Sequence, residues 1–400
     1  MTKIKLCLAN GVLISMLTIF STSALSAQST KIRVATFNVS MEALNYIPYV
    51  KGKTPNVEGD ELSKALNSGH QQIKNIAEII QTVNPDIILL NEFDRDNEQH
   101  LALQVFINDY LAKGQKNQQG IDYPYFYQAP VNTGVASPFD LTNNGDVGVL
   151  PGDGYGFGYF PGHFAMALLS KYPIDNANIR TFQYFLWQDM PNALIPTDPN
   201  TKQTWYSPEA WAGLRLSSKS HWDIPVDVNG QLVHVIASHP TPPVFDGPED
   251  RNGSRNHDEI RFVNDYVSAL DSDYIYDDKG HKGGLKAQQR FIILGDLNAS
   301  ATDGDAVKAG IDNLLKNPLI QDPMPTSKGA KAHTPENKHA PSHTAYWRMR
   351  ADYVLPSALG FTITDSGVFW PSITDEKFRL IKDRSASSDH RLVWVDLMIK

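Results

Sequence analysis

The sequence predicts an α/β protein in which helices cover a sheet, and three neighbouring segments carry that expectation. Ile32 to Val39 alternates apolar and polar side chains, as a strand does. Gln71 to Val83 places Ile73, Ile76, Ala77, Ile79 and Ile80 on one helical face, and Asn84-Pro85 stops it. Asp86 to Glu92 then reads as a buried strand that ends in polar residues. Strand, helix and strand at this spacing form a crossover unit.

The remaining elements follow in order. Leu101 to Leu111 reads as a helix and Tyr123 to Tyr127 as an aromatic edge strand. Pro130 to Gly162 is Gly-rich and has no period, so it is expected to be a long surface loop. Within it, Asp140 to Asp146 carries oxygen side chains around a glycine and reads as an unliganded turn rather than a calcium loop. Tyr155, Phe157, Tyr159 and Phe160 are read as core aromatics. Phe164 to Ser170 is another buried strand. Arg215 to Val228 and Gln231 to Ser238 form a hairpin about Asn229-Gly230. A helix over His257 to Leu270, a strand over Phe291 to Leu294 and a helix over Asp303 to Leu315 come next. Three last strands lie near Asp352 to Leu355, Phe361 to Val368 and Arg391 to Met398. No repeat or composition shift divides residues 28–400, which are expected to form one domain.

Residues 1–27 have the order of a secretory signal peptide: Lys3 and Lys5, an apolar run from Leu6 to Phe20, and small residues up to Ala27. Cys7, the one cysteine of the 400 residues, lies before that apolar run. The mature chain would therefore be secreted or periplasmic, with neither a disulfide nor a thiolate, and any metal would sit on oxygens and imidazoles. Removal of the two lysines takes the formal charge from −8 to −10. An acidic chain has no general basic field for gathering polyanions. No stable membrane anchor is expected in the mature chain, and a monomer is.

Polar residues gather where strands begin or end: Thr36-Phe37-Asn38, Asn91-Glu92, Ser238-His239, Gly295-Asp296-Leu297-Asn298, Ala351-Asp352-Tyr353 and Ser388-Asp389-His390. Each alone is an ordinary turn former or surface residue. Together they suit a phosphoryl-transfer site. In this order they resemble the endonuclease/exonuclease/phosphatase superfamily over Ile32 to Leu397, most specifically in the Gly-Asp-Leu-Asn and Ser-Asp-His motifs.

The resemblance implies a four-layered α/β sandwich of two packed mixed sheets flanked by helices. It also implies roles. Asn38 and Glu92 would gather a divalent metal beside Asp389, with Mg²⁺ expected and Mn²⁺ or Ca²⁺ as alternatives. Asp296 would deprotonate the attacking water and Asn298 would hold the water or a phosphate oxygen. His390, oriented by Asp352, would face a non-bridging oxygen, and His239 would face the scissile phosphate. Both imidazoles are expected to be protonated beside a phosphate.

One departure stands out. Pancreatic-type deoxyribonucleases pair the first catalytic histidine with a carboxylate on the middle strand, where this chain has His163-Phe-Ala-Met-Ala167. The partner of His239 is then His163 or a polar residue of the Gly-rich loop. Lys219, His221, Arg251 and Arg255 are candidates for binding a phosphate or a charged head group. The expected activity is hydrolysis of a phosphate ester by a secreted, metal-dependent hydrolase. The alternatives are a secreted nuclease with nucleic acid as its substrate, a sphingomyelinase-like lipid hydrolase, and a silent binding protein.

Overall fold

The computed structural model describes residues 1–2, 30–48, 50–268 and 272–400, so residues 3–27 of the expected signal peptide lie outside the described residues. In chain order the elements begin with β1 (Thr30–Met41), α1 (Glu61–Asn67), α2 (Gln71–Val83), β2 (Ile87–Phe93), α3 (Leu101–Val105), β3 (Tyr125–Tyr127) and β4 (Met166–Ser170). They continue with β5 (Arg180–Thr181), α4 (Pro208–Gly213), β6 (His221–Val228), β7 (Gln231–Ser238), α5 (Arg251–Ser268) and β8 (Phe291–Asp296). The last are α6 (Lys308–Lys316), α7 (Lys328–His333), β9 (Asp352–Pro356), β10 (Phe361–Val368) and β11 (Val393–Ile399).

Two mixed sheets result, a six-stranded one ordered β10-β11-β1-β2-β4-β3 and a five-stranded one ordered β5-β6-β7-β8-β9. Each contains one parallel pair, β1 with β2 and β7 with β8, joined by an excursion that contains a helix, α2 or α5. Period-two burial tells how the layers stack. Val235, Ala237, Ile292 and Leu294 join one core with the six-stranded sheet, α1, α2 and α3. Their neighbours Ile236, Phe291 and Ile293 face the other way, onto Ile260, Val263 and Val267 of α5 and Ile311 and Leu314 of α6. The sheets therefore pack face to face with helices outside, in four layers.

Several boundaries differ from the sequence reading. The helix from Leu101 runs on as a π-helical turn over Phe106–Leu111. Arg215 to Ser220 is not strand, because the Arg215 guanidinium lies 4.0 Å from the Tyr155 ring and 4.6 Å from that of Tyr184, which draws the chain away from the ladder. Helix α5 begins six residues early. Its first turn holds Gly253, where a Cβ would lie 2.1 Å from Asp250 Oδ1. Asp303 stays outside α6, since Lys308 Nζ ties the carbonyls of Ser300 and Gly304 into a loop at 2.9 and 3.0 Å.

Asp396 of β11 clamps the first sheet. It accepts Arg33 Nε at 2.6 Å and Nη2 at 2.9 Å, and pairs with Lys31 at 2.9 Å, while Arg33 Nη1 caps α2 through Val83 O at 2.8 Å. Burial would raise the Asp396 carboxyl, but the Arg33 and Lys31 hydrogen bonds outweigh it and hold it below its ordinary value. Its contribution is therefore complete above the unfolded-state value of about 3.9 and fades as pH falls through the lower folded one. Asp396→Asn should cost about 1–3 kcal/mol at pH 7. It should also flatten the acid limb of the stability curve, as chemical denaturation between pH 2 and 7 would show.

Candidate active site

The closing ends of the two sheets meet at Asp296. Gly295 makes this possible, because a Cβ there would lie 2.0 Å from Ser238 O. Only a residue without a side chain lets β7 and β8 approach this closely and sets Asp296 beside His239. Asp296 Oδ1 accepts the Asn298 amide at 3.0 Å, with Asn298 in the left-handed region at φ 52°. Asp296 Oδ2 accepts Asn38 Nδ2 at 3.1 Å and stands 3.4 Å from Nε2 of both His239 and His390. Burial works against its charge, yet the neighbouring His390 and His239 and the Asn38 amide hold it well below the carboxylate range.

His390 is fixed from behind. Its Nδ1 lies 2.9 and 3.1 Å from the Asp352 oxygens, and Thr344 Oγ1 donates to Asp352 at 2.7 Å. Burial disfavours the cation, but the Asp352 and Asp296 charges prevail and raise the imidazole to about 10. Burial pushes Asp352 up to about 6 against the attraction of His390. The pair is thus ionic near neutrality. Ser388 links this motif to β1, since its Oγ donates to Asn38 O at 2.7 Å and accepts the His390 amide at 3.0 Å.

Beside this lies an acidic corner that the sequence reading only partly found. Glu92, at φ 54°, is the last residue but one of β2, and burial raises its carboxyl while His239, His390 and the Asn38 amide pull it down. Asp389 accepts Ser40 Oγ at 3.3 Å. Glu42 was not foreseen. Its Oε2 accepts the Leu44 amide at 2.7 Å and meets His163 Nε2 at 3.0 Å. Its buried Oε1 has no hydrogen bond among the described residues and lies 3.9 Å from Arg384. Burial pushes Glu42 up to about 7. The only sequence signal for it is an acid directly after a strand, which is too common to single out.

Carboxylate and amide oxygens converging with one left unpaired suit a hard, largely hydrated divalent cation. Asn38, Glu92 and Asp389 fit that chemistry. The buried trio Asp296, Asp352 and His390, with ligand atoms all within 4.8 Å, could bind a divalent ion too, although their polar atoms already serve one another.

His163 is not the partner of His239. The Tyr159 amide donates to its Nδ1 at 3.3 Å, so Nε2 carries the proton to Glu42, and burial lowers its pKa to about 3. His239 Nδ1 is buried without a partner among the described residues. Burial first, and the Lys219 charge second, lower the pKa of His239, so the expectation of two protonated imidazoles holds for His390 alone.

A cavity of about 410 Å³ opens from this cluster, lined by Glu92, Lys219, His239, Arg251 and Arg255 among others. The four basic candidates divide. His221 is buried outside it, with Nε2 3.2 Å from Glu259 O and its ring on Phe262. The guanidinium of Arg255 is taken by the carbonyls of Leu216, Tyr155 and Arg215 at 2.6–2.8 Å. Arg251 is paired with Glu249. Lys219 alone reaches the cavity uncommitted. Phe157, expected in the core, is 56% exposed on the rim. The Asp140 turn binds its own amides, Gly145 at 2.9 Å and Thr142 at 3.2 Å, as an unliganded turn does.

The chain matches the endonuclease/exonuclease/phosphatase family profile over residues 35–390 and belongs to that family. Members are generally hydrolases of phosphodiester or phosphomonoester bonds and the family uses divalent metals; this chain is a phosphoester hydrolase of that family. No curated protein matches. Among solved structures it is similar to an endonuclease/exonuclease/phosphatase from Beutenbergia cavernae, at TM-score 0.49 and 19% identity over 92% of this chain and 72% of that one. It is also similar to the human nocturnin catalytic domain with bound sulfate, at 0.44 and 13% over 92% and 95%. A third is truncated Caenorhabditis elegans TDP2, at 0.42 and 13% over 92% and 97%.

Gly295→Ala tests the geometry. A methyl directed at Ser238 O forces the two strand ends apart, with an expected cost of about 1–3 kcal/mol in denaturant titration.

Proposed function

We propose that this chain is an exported, divalent-metal-dependent hydrolase that cleaves a compact phosphate ester by in-line attack of an activated water. The observation that supports it best is Asp296 Oδ2, a buried, ionised oxygen held by Asn38 within 3.4 Å of two imidazoles, one of which, His239, lines the cavity. Export rests on the residue order of 1–27 alone.

In this reading Asn38, Glu92 and Asp389 hold the divalent ion, with Mg²⁺ best suited to their oxygens. Bound there, the ion neutralises charge on a phosphoryl oxygen. Asp296, kept ionised by its neighbours and oriented by the Asn298 amide on its Oδ1, takes the proton of the attacking water. His390, cationic and braced by Asp352, stabilises negative charge on a non-bridging oxygen. Asn298 keeps one amide hydrogen on Pro240 O at 3.1 Å and offers the other to the water or the phosphate. His239, neutral and with Nε2 toward the site, donates a hydrogen bond to the leaving oxygen.

Asp296→Ala and His390→Ala should each lower turnover by at least about a hundredfold, since each removes a group directed at developing charge. Unchanged circular dichroism should show that the fold survives. A chelator should abolish activity and added Mg²⁺ restore it. The assay compares p-nitrophenyl phosphate, bis-p-nitrophenyl phosphate, plasmid DNA and sphingomyelin vesicles. Full activity in either variant would refute the assignment, and cleavage of DNA or lipid in place of the small esters would replace the substrate class.

A further inference from the structure

We infer that Lys219 is a substrate-contacting catalytic residue, binding an oxygen of the scissile phosphate while the organic part of a compact ester fills the adjoining cavity. The inference rests on the phosphoesterase reading and names the group that selects and holds its substrate.

Lys219 is 5% exposed, yet its Nζ makes no hydrogen bond or ion pair among the described residues. A buried ammonium without a partner is costly, and folds keep one where it meets an anion not permanently present. The nearby carboxylate of Glu259 does not serve. Its oxygens are occupied by the Ser218 amide at 2.8 Å and the Thr241 amide at 2.6 Å. Arg251 and Arg255, the other cations of the cavity, are occupied too.

The backbone of Lys219 is held firmly in place. Its carbonyl accepts the Asn132 amide at 2.8 Å, and Asn132 Nδ2 binds the carbonyls of Gln183 and Ser217, both at 2.8 Å. Three irregular segments are thereby pinned around one lysine. Its side chain shares the cavity wall with Glu92 and His239, and it feels the charges of Glu92 and Asp296. An anion there is a phosphoryl group in reach of the reacting centre. Leu141, Tyr206, Val244 and the exposed rings of Phe157 and Phe245 line the rest. About 410 Å³ suits a small organic group and is too confined for a nucleic-acid duplex.

The test compares Lys219→Met and Lys219→Arg with the parent chain in Mg²⁺ by three readouts: melting temperature, affinity for inorganic phosphate by calorimetry, and kcat and KM on bis-p-nitrophenyl phosphate. Lys219→Met should melt at the same or a higher temperature, because an unpaired buried charge is removed. It should bind phosphate at least tenfold more weakly and lose about a hundredfold in kcat/KM, with Lys219→Arg recovering part of both. A lowered melting temperature with unchanged phosphate affinity would mark Lys219 as structural and overturn the inference. If the parent chain hydrolyses none of the esters, the phosphoesterase reading fails by itself, while phosphate affinity and melting temperature still decide the role of Lys219.

Discussion

Asp296 Oδ2 takes the amide of Asn38 from the six-stranded sheet and faces His239 at the end of β7 and His390 at the head of β11. One oxygen is thus the meeting point of both sheets at their closing ends. The contact requires β1 and β8 to lie face to face with little between them, and Gly295 to leave Ser238 O unobstructed. The aliphatic interior shared by the sheets supplies the drive for that approach. The polar cluster alone could not, since each of its members loses water on burial.

Electrostatics sharpens the point. Glu42, Glu92, Asp94, Asp296 and Asp352 crowd one region; burial works against the charge of all five, and only Asp296 is brought below its ordinary value, by His390, His239 and Asn38. Asp94 is accommodated by the Ala43 and Phe164 amides at 2.7 and 2.8 Å. Asp352 has His390. Glu42 and Glu92 have less, and they border the place where the family chemistry puts a cation. The region holds more carboxyl groups than its own donors satisfy, an imbalance that the proposed divalent ion would relieve.

Much of the frame was legible because it is periodic. The β1-α2-β2 unit, the β6-β7 hairpin and the strand ahead of Asp296 all follow patterns that alternation or helical spacing exposes. The strand-end residues could be picked out because polar groups stand at the edges of apolar runs. What escaped has a physical reason in each case. The start of α5 is masked by Gly253, whose role beside Asp250 is steric. Arg215 looks like strand until its aromatic partners, Tyr155 and Tyr184, are brought to it from distant segments. His163 and Glu42 satisfy one another across 121 positions, and neither has a local pattern. Whether a basic residue is free or occupied depends on carbonyls and carboxylates far along the chain, so Lys219 and Arg255 look alike in sequence and differ in space.

The Gly-rich excursion between β3 and β4 leaves and rejoins the six-stranded sheet at its margin, where β3 pairs only with β4. It builds much of the cavity wall, and beside its anchors at Asn132 and His163 it has internal ties, such as Asp153 accepting the Leu141 and Val149 amides at 2.9 and 3.0 Å. Much of the cavity wall therefore lies in a different part of the chain from the strand ends that carry Asp296 and His390. Insertion, deletion or replacement within that excursion would alter the contour offered to a ligand while the strand ends bearing Asp296 and His390 stay where they are. Such a division lets one reactive centre be refitted to new molecules by changing a single border segment.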